Sequence, residues 1–282
     1  MKEPKRRWSD SVIRPIKKTL LGDESYHGLD LKPEDVVVAP IGEVMADLCA
    51  LPWDAWCGYV FAREPLNGKL SDVKRYKLMR RARECGIEWA QHCAERFSTH
   101  SPRKIAEELG AEIRFDKVPQ GQDRVLFAEY VEPNSIFIYD DALEKTRRLI
   151  GDDAVRRSIG KGVHPCDVLM AHEVFHLLEF QNKEKIWTQT YRETIHVGPI
   201  THRSSLVVLG EIASMGFASE LLDIEYNPYA FDILMTWAYS PAAGMTLYDE
   251  VMGYHPRFGR IDKTTAGDSS AEASGSTQDC KG

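Results

Sequence analysis

The sequence predicts an α+β fold: a small three-stranded sheet packed on helices, with further helix before and after it. Three observations predict it. Between residues 111 and 139, three short runs rich in Val, Ile, Phe and Tyr are separated by turn-forming residues. Two long runs, VLMAHEVFHLLEF (Val168–Phe180) and LVVLGEIASMGFASELL (Leu206–Leu222), read as helices, and the first is apolar nearly all round, as core helices are. A third, SDVKRYKLMRRARECGIEWAQHCAERF, places Leu78, Ala82, Cys85, Trp89, Cys93 and Phe97 at three- and four-residue spacing, with charge on the other face.

Taken in order, residues 1–38 carry scattered charge and no period, and the basic start MKEPKRRWSDSVIRPIKK reads as a solvated terminus. PIGEVMADLCALP gives a short helix stopped by Pro52. Trp53, Trp56, Tyr59 and Phe61 follow as a packing cluster. SPRKIAEELG has Ser101 at the N-cap, Pro102 in the first turn and Gly110 just past the end. The strand candidates are Ala111–Phe115, Arg124–Val131 and Ser135–Tyr139; their spacing favours an antiparallel meander, with a mixed sheet as the alternative. DDALEKTRRLIG returns to helix, and His164-Pro165 opens the apolar run. Residues 182–205 are polar without a strong period. Helices at Ala230–Tyr239 and Ala242–Tyr254 close the fold, and the polar stretch from Asp262 is expected to be disordered. The organisation expected is a mostly helical extension over 1–98, a core domain with closing helices over 99–255, and a disordered tail over 256–282.

Bulk properties exclude several function classes. The formal net charge of −7 argues against general affinity for nucleic acid or anionic lipid. No run reaches the ~18 apolar residues of a membrane span, and Arg14, Lys17 and Lys18 interrupt any signal-peptide core. The six cysteines form no C-x-x-C pair, so a reducing cytoplasm is expected, with cysteines serving as small core residues.

The chemistry lies in H-E-x-x-H: His172, Glu173 and His176. On a helix the two histidines fall on one face, about 6 Å apart along the axis, where two imidazoles can share one ion. The glutamate stands beside the open coordination position, where hydrolytic zinc sites keep a base. Two histidines and a glutamate in so apolar a helix would otherwise cost a few kcal/mol in desolvation. A third ligand is needed. Glu179 lies about 10 Å along the axis from His172, which suits a supporting or a solvent-facing group better than a ligand. His196 and His202 lie in the polar segment and could approach. Glu211 is the leading candidate, because Gly210, Ala213, Ser214, Gly216 and Ala218 let its helix come close. Zinc is expected, with non-haem iron as the other metal suited to two histidines and a carboxylate. His196, His202, Tyr191 and Tyr226 are candidates to stabilise an oxyanion.

HEVFHLLEF followed by EIASMGFASELL resembles the ImmA/IrrE metallopeptidases, zinc peptidases of the gluzincin type. Their second helix typically reads E-x-x-A-N-x-F-A-x-x-L-L. Glu211, Phe217, Ala218, Leu221 and Leu222 match it, while Ser214 and Met215 stand where Ala and Asn are usual. KIAEELGAEIRFDKVP and SIFIYDDALEKTRRL resemble the family's segments upstream, so the likeness spans roughly residues 100–225. It implies a zincin-like core and a Zn²⁺ endopeptidase cutting a protein or peptide, a regulatory protein among the candidates. His172, His176 and Glu211 would be the ligands and Glu173 the base; that no direct nucleic-acid or membrane contact is expected follows from the net charge and the absence of a long apolar run. The rival class is a zinc-stabilised binding or regulatory protein without catalysis.

Overall fold

The computed structural model describes residues 36–117, 127–197 and 200–254. The expected irregular start and disordered tail lie, except for 36–38, outside the described residues. The chain is α+β and mostly helical.

Helix α1 (Ile41–Ala50) leads into a 3-10 turn (Trp53–Trp56) and α2 (Cys57–Phe61). Trp56, Tyr59 and Phe61 are fully buried, so the aromatic cluster is a packing anchor. Helix α3 (Asp72–Phe97) starts at Ser71, whose hydroxyl accepts the Lys74 N–H. It buries Leu78, Ala82, Cys85 and Cys93 of the expected stripe, while Trp89 and Phe97 are half-buried. Helix α4 (Pro102–Glu108) has Ser101 as N-cap and Gly110 at positive φ beyond its end.

The strands are β1 (Glu112–Asp116), β2 (Ala128–Val131) and β3 (Ser135–Tyr139). They do not form a meander. β2 and β3 make an antiparallel hairpin, but β1 lies on the other edge of β3 and runs parallel to it, pairing Glu112 with Ser135 and Asp116 with Tyr139. The order β1-β3-β2 is therefore mixed. The physical reason is the connection 117–127, far longer than a hairpin turn, which frees β1 from pairing with its successor. β2 is left as an outer strand. Ala128, Tyr130, Ile136 and Ile138 form the sheet's buried face.

Helices α5 (Asp140–Ile150) and α6 (Asp153–Ile159) follow, the second capped by Asp152. Helix α7 (Pro165–Gln181) carries the motif, with Pro165 in its first turn. It packs on β2, β3 and α4. The segment expected to be irregular is ordered: it holds a short helix α8 (Trp187–Thr190) and an antiparallel hairpin, β4 (Glu193–Val197) with β5 (Ile200–Ser204). Among the hairpin's described side chains, Thr201, His202 and Arg203 are exposed and Ile195 is the buried apolar one. Helices α9 (Val208–Leu221), α10 (Ala230–Tyr239) and α11 (Pro241–Gly253) complete the fold.

Helix α9 sits against α3 more extensively than against α7. A Cβ built on Gly86 would meet the Ala213 carbonyl oxygen at 2.0 Å, and one on Gly216 would meet the Arg83 carbonyl oxygen at 2.6 Å. Ala213 and Gly216 thus serve the α3 seam rather than the approach to α7. Glu64, also from the first hundred residues, accepts the Val208 N–H at 3.2 Å and caps α9 from outside.

Among the described residues no helix is long and apolar enough to cross a membrane. Cys57, Cys85 and Cys93 are buried free thiols. Burial pushes the thiols of Cys49 and Cys57 up to about 12, as for inert core residues.

Candidate metal centre

Helix α7 needs no polar face to fold, so its two histidines and Glu173 stand out against an otherwise apolar surface. The rings of His172 and His176 leave the helix one turn apart, with centroids 4.8 Å from each other at an interplanar angle of 73°. Their Nε2 atoms face each other at 3.0 Å. Glu211, in the first turn of α9, reaches both: its carboxylate lies 3.3 Å from His172 Nε2 and 3.7 Å from His176 Nε2. The three residues offer ligand atoms all within 4.8 Å of one another.

The hydrogen bonds behind the rings decide what the facing nitrogens can do. Ser214 has one hydroxyl hydrogen and donates it to the Glu211 carbonyl at 2.7 Å. Its lone pair is left for His172 Nδ1, 2.9 Å away, which must therefore carry the proton. His176 Nδ1 donates to Glu179 Oε2 at 3.0 Å. With both Nδ1 atoms protonated, neutral rings present two Nε2 lone pairs to each other. Such an arrangement repels unless a positive charge lies between them, a proton on one Nε2 in the metal-free protein or a metal ion shared by both. Nitrogens about 2.0–2.1 Å from a tetrahedral zinc stand roughly 3.3 Å apart. The ligand-atom separations of 3.0, 3.3 and 3.7 Å bracket that value. The residues fit a metal ion.

Electrostatics point the same way. Burial alone would lower the His176 pKa. The charge of Glu211, the hydrogen bond and charge of Glu179 and the charge of Glu173 outweigh it and raise it to about 9. Glu179 is itself buried; Thr188 Oγ1 and Gln189 Nε2 donate to its other oxygen. Burial would raise its pKa, but the His176 bond and these donors hold it below the usual carboxylate range. Gly210 makes room for it, since a Cβ there would lie 3.0 Å from both Glu179 oxygens. The expected supporting role of Glu179 is what the geometry shows, and it is too occupied to reach over as a ligand.

Glu173 is buried beside the triad. Its pKa is raised chiefly by burial, with Glu211 adding to it, against the lowering effect of the two histidines and of the Tyr130 backbone N–H on β2. A cleft of about 240 Å³ opens onto these groups, lined by His172, Glu173, His176 and Glu211 together with Phe127, Ala128 and Tyr130 of the outer strand.

The remaining sequence candidates are elsewhere. His202 is exposed on β5 and does not line the cleft. The His196 side chain lies outside the described residues. The Tyr191 hydroxyl donates to Glu193, and that of Tyr226 donates to the Ile159 carbonyl at 2.9 Å. Neither lines the cleft. Of the two tyrosines that do, Tyr130 donates its hydroxyl to the Pro133 carbonyl at 2.7 Å; the other is Tyr229, at the turn into α10, with Asp232 one helical turn further on. Both were missed by the motif reading; an aspartate inside the apolar run YAFDILMTWAY was the available signal.

Comparison of the chain with protein families, curated proteins and solved structures finds no match.

Proposed function

We propose that this chain is a zinc-dependent endopeptidase with a zincin-like core. In this reading His172, His176 and Glu211 hold the ion and Glu173 is the general base. The observation that carries it is the convergence of two Nε2 lone pairs and a carboxylate on one point, with Glu173 beside them in an open cleft. Structural zinc sites close their fourth position with protein; this one faces a cleft large enough for a peptide segment. The adjacent base favours hydrolysis over the oxygen chemistry of non-haem iron.

A bound zinc ion would polarise the scissile carbonyl and acidify the attacking water. The residues do the rest. Ser214 and Glu179 hold the two imidazoles in the one tautomer that ligates through Nε2. Glu173, with its pKa raised by burial, is poised to take a proton from the attacking water and return it to the leaving amine. Tyr229 is the cleft-lining phenol suited to donate to the developing oxyanion. An extended substrate would pair its backbone with outer strand β2. The catalytic unit draws on residues before 99 as well as on 99–255, since α3 and Glu64 hold the Glu211 helix. The resemblance to ImmA/IrrE peptidases favours a regulatory protein as substrate.

The test is Glu173→Gln. It should keep stoichiometric zinc and lower peptide hydrolysis by about 100-fold or more. Full hydrolysis by this variant would refute the assigned base. Bound zinc with no hydrolysis of any peptide by the wild type would instead favour the zinc-stabilised binding protein.

A further inference from the structure

We propose that Asp232 is the specificity residue of this cleft, receiving a cationic group of the peptide: a Lys or Arg side chain beside the scissile bond, or a free α-amine. The inference rests on the peptidase reading and adds a substrate class to it.

Asp232 lies in the first turn of α10 and lines the cleft with His172, Glu173 and Glu211. Among the described residues no hydrogen bond or ion pair reaches its carboxylate. It is not a fourth ligand, because the set of mutually close ligand atoms stops at His172, His176 and Glu211. Leu206, Phe231 and Met235 line the same space and form its apolar part, next to the polar centre. Two arginines at hand, Arg63 by its charge and Arg192 in the lining, are bonded elsewhere. Arg63 forms a two-point bond with Glu250 at 3.1 and 3.2 Å and lies over the Tyr59 ring. Arg192 donates to the carbonyls of Gln189 and Tyr191.

A charge count leaves Asp232 over. A divalent ion offsets Glu211 and Glu173, and Glu179 has its own three donors. A first-turn acid gains from the helix dipole, but that gain is available at an exposed position as well and does not explain placement in a largely apolar wall. His172 and Arg63 act on this carboxylate by charge without bonding to it, and a buried carboxylate with no bonded cation is a receptor for one that arrives with the ligand.

The experiment uses the zinc-loaded full chain and peptides carrying Lys, Arg, norleucine or Glu around a cleavable bond, each with a free or acetylated N-terminus. The wild type should prefer the cationic peptides by about tenfold or more in kcat/KM. Asp232→Asn should bring cationic and norleucine peptides close to equal, and Asp232→Lys should turn the preference toward Glu. A preference that follows acetylation identifies the α-amine; one that follows the side chain identifies Lys or Arg. An Asp232→Asn protein that keeps the wild-type preference overturns the assignment. Calorimetric titration with the same peptides separates the two readings. If the wild type cleaves nothing yet Asp232→Asn binds the Lys peptide about tenfold more weakly, the cation site stands and the peptidase reading fails. Equal binding by both proteins overturns Asp232's role.

Discussion

The two histidines of the centre are the same ligand held in two ways, and the His172 and His176 sides of the cluster differ in kind. His172 is oriented by a neutral hydroxyl from the facing helix, Ser214, which spends its own hydrogen on α9's backbone. His176 is oriented by a buried carboxylate from its own helix, Glu179, steadied by Thr188 and Gln189 of the segment that follows. One side therefore depends on the packing of α9 against α7, and the other on charge. Glu211 touches both rings and is the point at which the two sides meet.

Removing that meeting point has the largest expected effect. Glu211→Ala takes away a ligand rather than a supporting group, so zinc affinity should fall by well over the ~100-fold upper range for outer groups. Competition titration with a chelating dye measures it, and stoichiometric zinc surviving dialysis would place the third ligand elsewhere.

Glu179→Ala comes next. It removes the acceptor that orients His176 and strands the buried Thr188 hydroxyl, which costs about 1–3 kcal/mol if no water replaces the carboxylate, together with the half-buried Gln189 amide. A loss of about 100-fold in zinc affinity is expected, with a lower Tm in the metal-free protein. An effect confined to affinity, with Tm unchanged, would mean the segment 186–190 does not depend on this carboxylate.

The charged side should also show in pH. In the metal-free protein the His176 pKa is lifted from 6.5 to about 9. Its stabilising contribution is whole below pH 6.5 and is lost as pH rises through 9. The metal-free Tm should fall over that window. Zinc needs the neutral ring, so its affinity should rise across the same window, by up to about tenfold per unit for one released proton. Glu179→Gln removes one of the charges that raise the pKa and should flatten both slopes. Slopes identical to wild type would show that the Glu179 charge is not what lifts His176.

How much of this was legible divides along the same line. The H-E-x-x-H spacing puts His172 and His176 on one face whatever surrounds them, because 3.6 residues per turn leaves no other option. Glu211 could be picked out because small residues flank it. The groups behind the rings could not be ranked, since Ser214 and Thr188 look like ordinary hydroxyls until two elements are docked. The hairpin at 193–204 was passed over because its strands are polar; Gly198-Pro199 between two β-branched runs was the unread turn signal. β1 was placed in a meander because local spacing says where strands are but not which edge they join. The glycine seam between α3 and α9 was assigned to the wrong neighbour for the same reason: smallness is visible in sequence, and the partner is not.

The smallest effect is the most discriminating. Ser214→Ala deletes one oxygen at a buried position and leaves no charge unpaired. His172 then keeps its place by packing alone, and its Nδ1–H loses its partner, which should cost about tenfold in zinc affinity. The pH slope should stay as in the wild type, because Ser214 carries no charge and faces the other ring. Ser214→Thr keeps the hydroxyl and so tests crowding rather than chemistry: the side chain is fully buried, and an added methyl should cost about 1–3 kcal/mol in stability. If Ser214→Ala instead matched Glu179→Ala in affinity loss and changed the pH slope, the two sides would be one coupled network. The distinction between a packed and a charged side would then have to be given up.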